Sequence, residues 1–374
     1  MRYYWSLDLL RFISAVLVLF FHIAAFRGDA PGWPFGVGEA PLGWLYPFSW
    51  FGWIGVQIFF VLSGFIISAS AYNSTALDFL KRRGIRVFPA LWLSAALALA
   101  ARAFWGEPLG ELLPSFLRSI VLSPKGPYID GVAWSLVVEA IFYAFIALVI
   151  LIAPRFGGFQ RSLTLAAYGL GIASTVFTLL VWLVINTSLF ADQQQFLAFL
   201  RGFTFDLLLL RHGALFAVGI LLYQTVERGA SRYSSLGLVV FISASVVQIA
   251  NNTQADLNAL CPVLAWLAAT CMIYLGAKYG DGAAGQSLRP VMRPIGLMTY
   301  PLYLNHFVLG QALVPLFALW ISSSAMLFVV LLVTLLANAW LISQFPELWI
   351  QRYLRKVLFR QGAPRVAKTA MNKA

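Results

Sequence analysis

The sequence predicts an all-α, polytopic integral membrane protein of about ten transmembrane helices, with both termini in the cytoplasm. Three observations predict it. Apolar residues make up 61% of the 374 residues and charged residues only 11%, against about 45–50% and about 25% in ordinary soluble domains. The apolar residues gather into continuous runs close to the ~20 residues a spanning helix requires. They do not alternate as barrel strands would, and closed barrels are the other spanning solution. Finally, Lys and Arg fall mostly on one side of the runs, as cytoplasmic segments do. A soluble enzyme, a disordered chain and a coiled coil are excluded. The net charge of +12 would point to nucleic acid in a soluble protein; here topology accounts for it, and no nucleic-acid partner is expected.

Ten apolar segments follow in order: Leu7–Phe26, Gly52–Ala71, Val87–Phe104, Val132–Ala153, Leu163–Ile185, Leu207–Gln224, Leu236–Ile249, Leu260–Ala277, Ile295–Val314 and Met326–Phe345. The seventh is short, and a mixed stretch, Phe196–Asp206, suits the interface before the sixth. With the N-terminus inside, the cytoplasmic junctions hold Lys81, Arg82, Arg83 and Arg86, then Arg155 and Arg161, Arg228 and Arg232, Lys278, Arg289 and Arg293. The outer segments hold Arg27, Arg102, Arg118, Lys125 and Arg201. The outer loops Gly28–Trp50 and Trp105–Gly131 are rich in proline and aromatic residues that favour the headgroup zone, so they are expected to lie on the membrane. The expected division is a ten-helix membrane domain over 1–350 and a basic cytoplasmic tail over 351–374. The first run carries Asp8, Arg11 and His22 and lacks a small-residue cleavage site, so no cleaved signal is expected. Cys261 and Cys271 stand about 15 Å apart along one helix, too far for a disulfide, and no metal cluster is expected.

Ionisable groups inside spans are costly and are functional candidates by default. On the first span, Asp8 and Arg11 are three residues apart and within side-chain reach. Eleven residues separate Arg11 from His22, which returns the helix to within about 20° of the same face, roughly 16 Å deeper. A structural ion pair for Asp8 and Arg11, and a hydrogen-bonded interior histidine for His22, are the plain alternatives. In the second span, Ser63 and Gly64 suit close helix packing, and Ser63 is not expected to be a nucleophile. Lys81–Arg86 serves as a cytoplasmic anchor, and Arg83 and Arg86 also suit a phosphate-rich anion. Pro89 suits a helix start. Glu139 lies about 12 Å along the fourth span and should be paired or protonated. Trp134 is either an interfacial aromatic or part of a site. The ninth span carries Tyr300, Tyr303 and His306, with a possible kink at Pro301. Arg211 and His212, at the start of the sixth, read as interfacial anchors.

Five motifs, in order and covering almost the whole chain, carry a resemblance. They are Leu7-Asp8-x-x-Arg11 with His22; Phe60-x-x-Ser63-Gly64-Phe65; Arg82-Arg83-x-x-Arg86-x-x-Pro89-x-x-Trp92; Trp134-Ser135-x-x-x-Glu139-x-x-x-Tyr143; and Tyr300-x-x-Tyr303-x-x-His306. Together they resemble acyltransferase family 3, the ten-helix membrane acyltransferases that modify surface glycans, here in a stand-alone membrane form. The resemblance implies an acyl-CoA co-substrate, acetyl-CoA foremost, with no permanently bound cofactor. It also implies a glycan or lipid-linked glycan acceptor, and a bacterial inner membrane whose lipids surround the protein. His22 would act as general base or acyl-accepting residue. Asp8 and Arg11 would set the field at the inner entrance, and Arg82, Arg83 and Arg86 would hold donor phosphates. Glu139 would orient His22 or the acceptor, and Trp134, Ser135, Tyr300, Tyr303 and His306 would bind or polarise the reacting groups. The acyl group, the acceptor and the oligomeric state are not readable from the chain.

Two other classes compete. A proton-coupled transporter or flippase of a glycan or lipid would also use intramembrane Asp, Glu and His, but it gives Arg83 and Arg86 no task beyond topology. A non-catalytic partner in polysaccharide assembly would tolerate loss of His22 and Arg11.

Overall fold

The computed structural model describes residues 3–25, 41–187, 193–253, 257–280 and 283–359. Its helices are α1 (Trp5–Ala25), α2 (Tyr46–Ser49), α3 (Ile54–Ala71), α4 (Ala76–Phe104), α5 (Leu109–Ile120), α6 (Ala133–Ile152), α7 (Phe159–Asn186) and α8 (Gln193–Leu200). They continue with α9 (Thr204–Leu207), α10 (Gly213–Arg228), α11 (Arg232–Asn252), α12 (Leu260–Tyr279), α13 (Ala283–Asn305), α14 (Val308–Ala318), α15 (Ser324–Gln344) and α16 (Pro346–Leu358). Each of the ten expected segments contains a helix, and no strand occurs among the described residues. Eight of the helices are long and apolar enough to cross a membrane, and the chain is an all-α polytopic membrane protein. Lipid offers backbone groups no partners, so helices that satisfy their own are the natural solution. Local signals set some of the ends. Thr75 Oγ1 accepts the Asp78 N–H at 3.1 Å and starts α4, while Ser231 and Ser234 form a reciprocal box at the start of α11.

The centre of the bundle is the pair α3 and α10. α10 is only 16 residues long but is buried from Gly213 to Gln224, as expected of a helix apolar on all sides. The two cross at Gly64 and Gly219, where a Cβ on either would strike the other helix's backbone; small residues permit this approach in membranes. α1 lies on another face of α3, where Gly52 and Gly55 sit against the carbonyls of Leu17 and Ser14. α13 packs on α1 with Gly296 against the Asp8 carboxyl group. Large apolar side chains on the outer helices, among them Leu151, Val176 and Val333, point outwards, which suits a lipid surround.

Five details differ from the sequence reading. α4 begins at Ala76 and runs through Pro89, which is therefore inside a helix and not at its start. Such interruptions are tolerated in membrane helices because neighbours re-satisfy the freed groups. The ninth segment is two helices, broken between Asn305 and Val308. The seventh is a full helix of 21 residues, and the sixth starts at Gly213 after a run of turns. The expected boundary at 350 falls inside α16, which packs against the start of α4: Lys81 Nζ donates to the Leu358 carbonyl at 3.2 Å. Trp5 Nε1 donates to the Gly280 carbonyl at 3.0 Å, and the Tyr4 hydroxyl donates to Glu227 at 3.1 Å. These contacts gather the beginning of α1 and the ends of α10 and α12 at one end of the bundle. Arg27, most of the first outer loop and the tail beyond 359 lie outside the described residues. Cys261 and Cys271 are both free thiols.

Candidate active site

A cavity of about 730 Å³ opens among α1, α3, α4, α6, α13 and α16. Its lining includes Arg11, Arg82, Arg83, Arg86 and Arg355, then Ser63, Ser135, Glu139, Tyr143, Tyr300 and Tyr303. The guanidinium groups are held in different ways. Arg86 donates to Glu347 of α16 at 3.1 Å and lies over the Tyr300 ring at 5.8 Å. Arg82 donates to the Ser74 hydroxyl. Arg11 pairs with Asp8 at 3.3 Å. Arg83 lies over the Phe79 ring at 5.8 Å, and its Nε is buried without a hydrogen-bond partner. Deeper in, Ser63 donates to the Glu139 carboxylate. The Tyr300 hydroxyl is buried and unpartnered. A cationic chamber with spare donors suits an anionic ligand, and forked guanidinium groups suit phosphate.

A second cavity, of about 260 Å³, is lined by His22, Phe21, Trp53, Gln57, Trp134 and Phe307, with Val18, Val56, Gly131, Val132 and Tyr303. Val56 and Tyr303 line both cavities. His22 Nδ1 lies 2.8 Å from Nε2 of His306, and His306 Nδ1 lies 2.7 Å from the Tyr303 carbonyl. The network assigns the tautomers. A carbonyl only accepts, so His306 Nδ1 carries hydrogen. In the neutral ring Nε2 then accepts, and His22 Nδ1 must donate to it. The remaining nitrogen of His22, Nε2, is left with its lone pair. The relay places a basic atom at the end of a two-imidazole chain whose other end is anchored to main chain.

The surroundings hold this pair in place. The His22 ring meets the Phe307 ring edge-on at 4.9 Å. Trp134 lies 5.9 Å from the His212 ring and 6.3 Å from Phe60. His212 is buried, 3.0 Å from Asp206 and 3.2 Å from Gln248, so it belongs to an internal polar cluster and is no interfacial anchor. Its neighbour Arg211 pairs with the same Asp206 at 2.8 Å. Gln57 is buried, and its Oε1 has no hydrogen-bond partner.

The helix break at His306, itself buried, is secured by a loop. Asp130, in the loop before α6, accepts the Val132 N–H at 3.0 Å and the Val308 N–H at 3.1 Å, capping α14. Burial pushes its carboxyl up to about 6, against the opposing pull of those two N–H groups and Arg102. A folded-state value above the ordinary 3.8 means that the folded protein binds this proton more tightly. Its contribution to stability is therefore full below about 4 and declines as pH rises towards about 6. Asp130→Ala should leave two buried donors unpaired, at about 1–3 kcal/mol each. Thermal unfolding in detergent should show a lower midpoint and a flatter dependence between about pH 4 and 6; a midpoint equal to wild type across that range would refute the cap.

The residues singled out by sequence divide between the two cavities. Arg11, Arg82, Arg83, Arg86, Ser135, Glu139 and Tyr300 line the larger, His22 and Trp134 the smaller, and Tyr303 both. Asp8 stands behind Arg11, and His306 behind His22. Glu139 was expected to orient His22 or the acceptor; it faces the arginine cavity and accepts from Ser63, and the side chain hydrogen-bonded to His22 is His306. Ser63, read as a packing residue, is thus a polar partner inside the site. Glu347, Arg355 and Phe359 were missed because α16 reads as the edge of a basic tail. The available signal was Pro346-Glu347 at the foot of the last span, a helix start with a carboxylate. Gln57 was missed although it is an amide inside a span.

The O-acetyl transferase of Shigella phage Sf6 is 38% identical to this chain over 85 residues, which are 22% of this chain and 22% of that protein. No solved structure matches the chain. A family profile described as an acyltransferase domain matches residues 4–344. That stretch runs from the start of α1 to the end of α15 and contains His22, His306 and the arginines of α4, so the chain belongs to acyltransferase family 3.

Proposed function

We propose that this protein is a membrane O-acyltransferase that moves an acyl group, acetyl foremost, from cytoplasmic acyl-CoA to a hydroxyl of a surface or exported glycan, with the bacterial inner membrane as its site. One observation carries the reading: a cavity rich in arginine and a cavity holding His22 abut at Val56 and Tyr303. The family membership and the phage O-acetyl transferase support it. Arg82, Arg83 and Arg86, joined by Arg11 and Arg355, hold the donor phosphates at the end of the bundle where the chain's basic junctions gather. The pantetheine arm extends past Glu139 and Tyr300 towards Tyr303, bringing the thioester carbonyl to the smaller cavity.

There the acceptor sugar rests against Trp53 and Trp134, with Gln57 Oε1 available to a neighbouring hydroxyl. His22 Nε2 takes the proton of the reacting hydroxyl as its oxygen attacks the thioester carbon. The carbon–sulfur bond breaks, a carbon–oxygen ester bond forms, and the imidazolium proton passes to the departing thiolate. An ester and free CoA thiol result, and the ring is neutral again. His306 holds the tautomer that leaves Nε2 free. The carrier reading would use His22 and His306 as a proton relay but assigns no ligand to the arginine cavity. Mass spectrometry of surface glycans from cells with and without the protein separates them. An added acyl mass that disappears on deletion is expected; unchanged glycan masses together with altered glycan export would overturn the enzyme reading.

A further inference from the structure

We infer that Val56, opposed by the Tyr303 ring, gauges the length of the acyl group; this rests on the proposed acyl-CoA reaction. The donor carbonyl has to reach His22 across the boundary between the two cavities, and Val56 and Tyr303 are the residues that line both. Neither side can easily withdraw. The Tyr303 hydroxyl is bonded to Ser135 of α6 at 2.6 Å, and its ring meets Phe59 edge-on at 5.6 Å. Tyr303 is 5% exposed and Val56 8%.

Val56 is fixed by its neighbour. A Cβ on Gly55 would run into the Ser14 carbonyl, and would lie 2.7 Å from Val18 Cγ2, so α3 is already pressed against the helix that carries His22. Interiors packed to this degree do not yield continuously. The boundary is therefore set by a branched aliphatic side chain and an aromatic ring that hold their places. A two-carbon acyl group has only a methyl to fit beyond its carbonyl, whereas each added methylene has to lie against Val56. Discrimination of one methylene in an apolar pocket is worth roughly 10–200-fold.

The test uses the full chain in membrane vesicles from cells in which it naturally acts, supplied with radiolabelled acetyl-, propionyl- or butyryl-CoA. Label incorporated into the polysaccharide fraction is counted. Val56→Ala should raise the butyryl-to-acetyl ratio at least tenfold, and Val56→Ile should lower the propionyl-to-acetyl ratio. The ratio is internal to each preparation, so differences in protein level do not affect it. Should Val56→Ala fail to accumulate, Val56→Ile, which enlarges the side chain by one methylene, decides alone. Wild-type acetyl transfer with ratios unchanged in the variants would overturn the gauge and leave the enzyme standing. Absence of CoA-dependent labelling by the wild type would overturn both.

Discussion

His22→Ala should reduce acyl transfer by roughly 10²–10⁴-fold, the usual contribution of a positioned general base, with the protein still present in the membrane at wild-type level. The expectation follows from the hydrogen-bond chain. His306 is buried and committed to the Tyr303 carbonyl and to His22, so the nitrogen left without a hydrogen is Nε2 of His22, a residue that lines the smaller cavity. Alanine removes it and leaves the buried His306 Nε2 without its donor, at about 1–3 kcal/mol of stability. His306→Ala should cost less, because it removes the group that fixes the tautomer and leaves the base in place. Label incorporation from acetyl-CoA, set against immunoblot levels, gives the comparison. Full activity in His22→Ala would remove that ring from the chemistry, and equal losses in the two variants would show that the rings act as one unit.

Arg83→Ala should raise the KM for acyl-CoA roughly tenfold to a hundredfold with a smaller change in kcat, as expected for loss of a charge-assisted bond worth about 1.5–3 kcal/mol. Among the described residues, Arg83 is the arginine whose Nε is buried without a protein partner. Arg86 already gives Nη1 to Glu347 at 3.1 Å, so a phosphate must compete with a carboxylate there, and Arg86→Ala should have the weaker effect. Arg83→Lys keeps the charge but loses the fork, and should fall between wild type and alanine. Steady-state rates against acyl-CoA concentration provide the measurement. An unchanged KM in Arg83→Ala would place the donor elsewhere.

Much of this was legible because burial of charge in lipid is so costly that each case needs a reason. Asp8, Arg11, His22, Glu139 and His306 stood out against apolar runs, and the structure brings them to two adjoining cavities. Which of them meet was not legible, since helix neighbours depend on the third dimension. Phase along α1 puts Arg11 and His22 on one face, but only the packing of α13 on α1 delivers His306 to His22 and leaves Glu139 with Ser63. The break after Asn305 was hidden because hydropathy continues through it; the Asp130 cap that stabilises it comes from a loop 178 residues away. The close approaches at Gly64 and Gly219 were half visible, as small residues without a stated partner.

Tyr303 serves the cavity boundary and the histidine pair with different parts of itself. Its ring and hydroxyl form the wall, while the atom that aligns His306 is its peptide oxygen. Any amino acid supplies that oxygen. Related enzymes could therefore exchange the side chain at this position as they adopt new donors and still inherit the same proton wiring, a separation that lets substrate range drift while the acid–base apparatus stays constant.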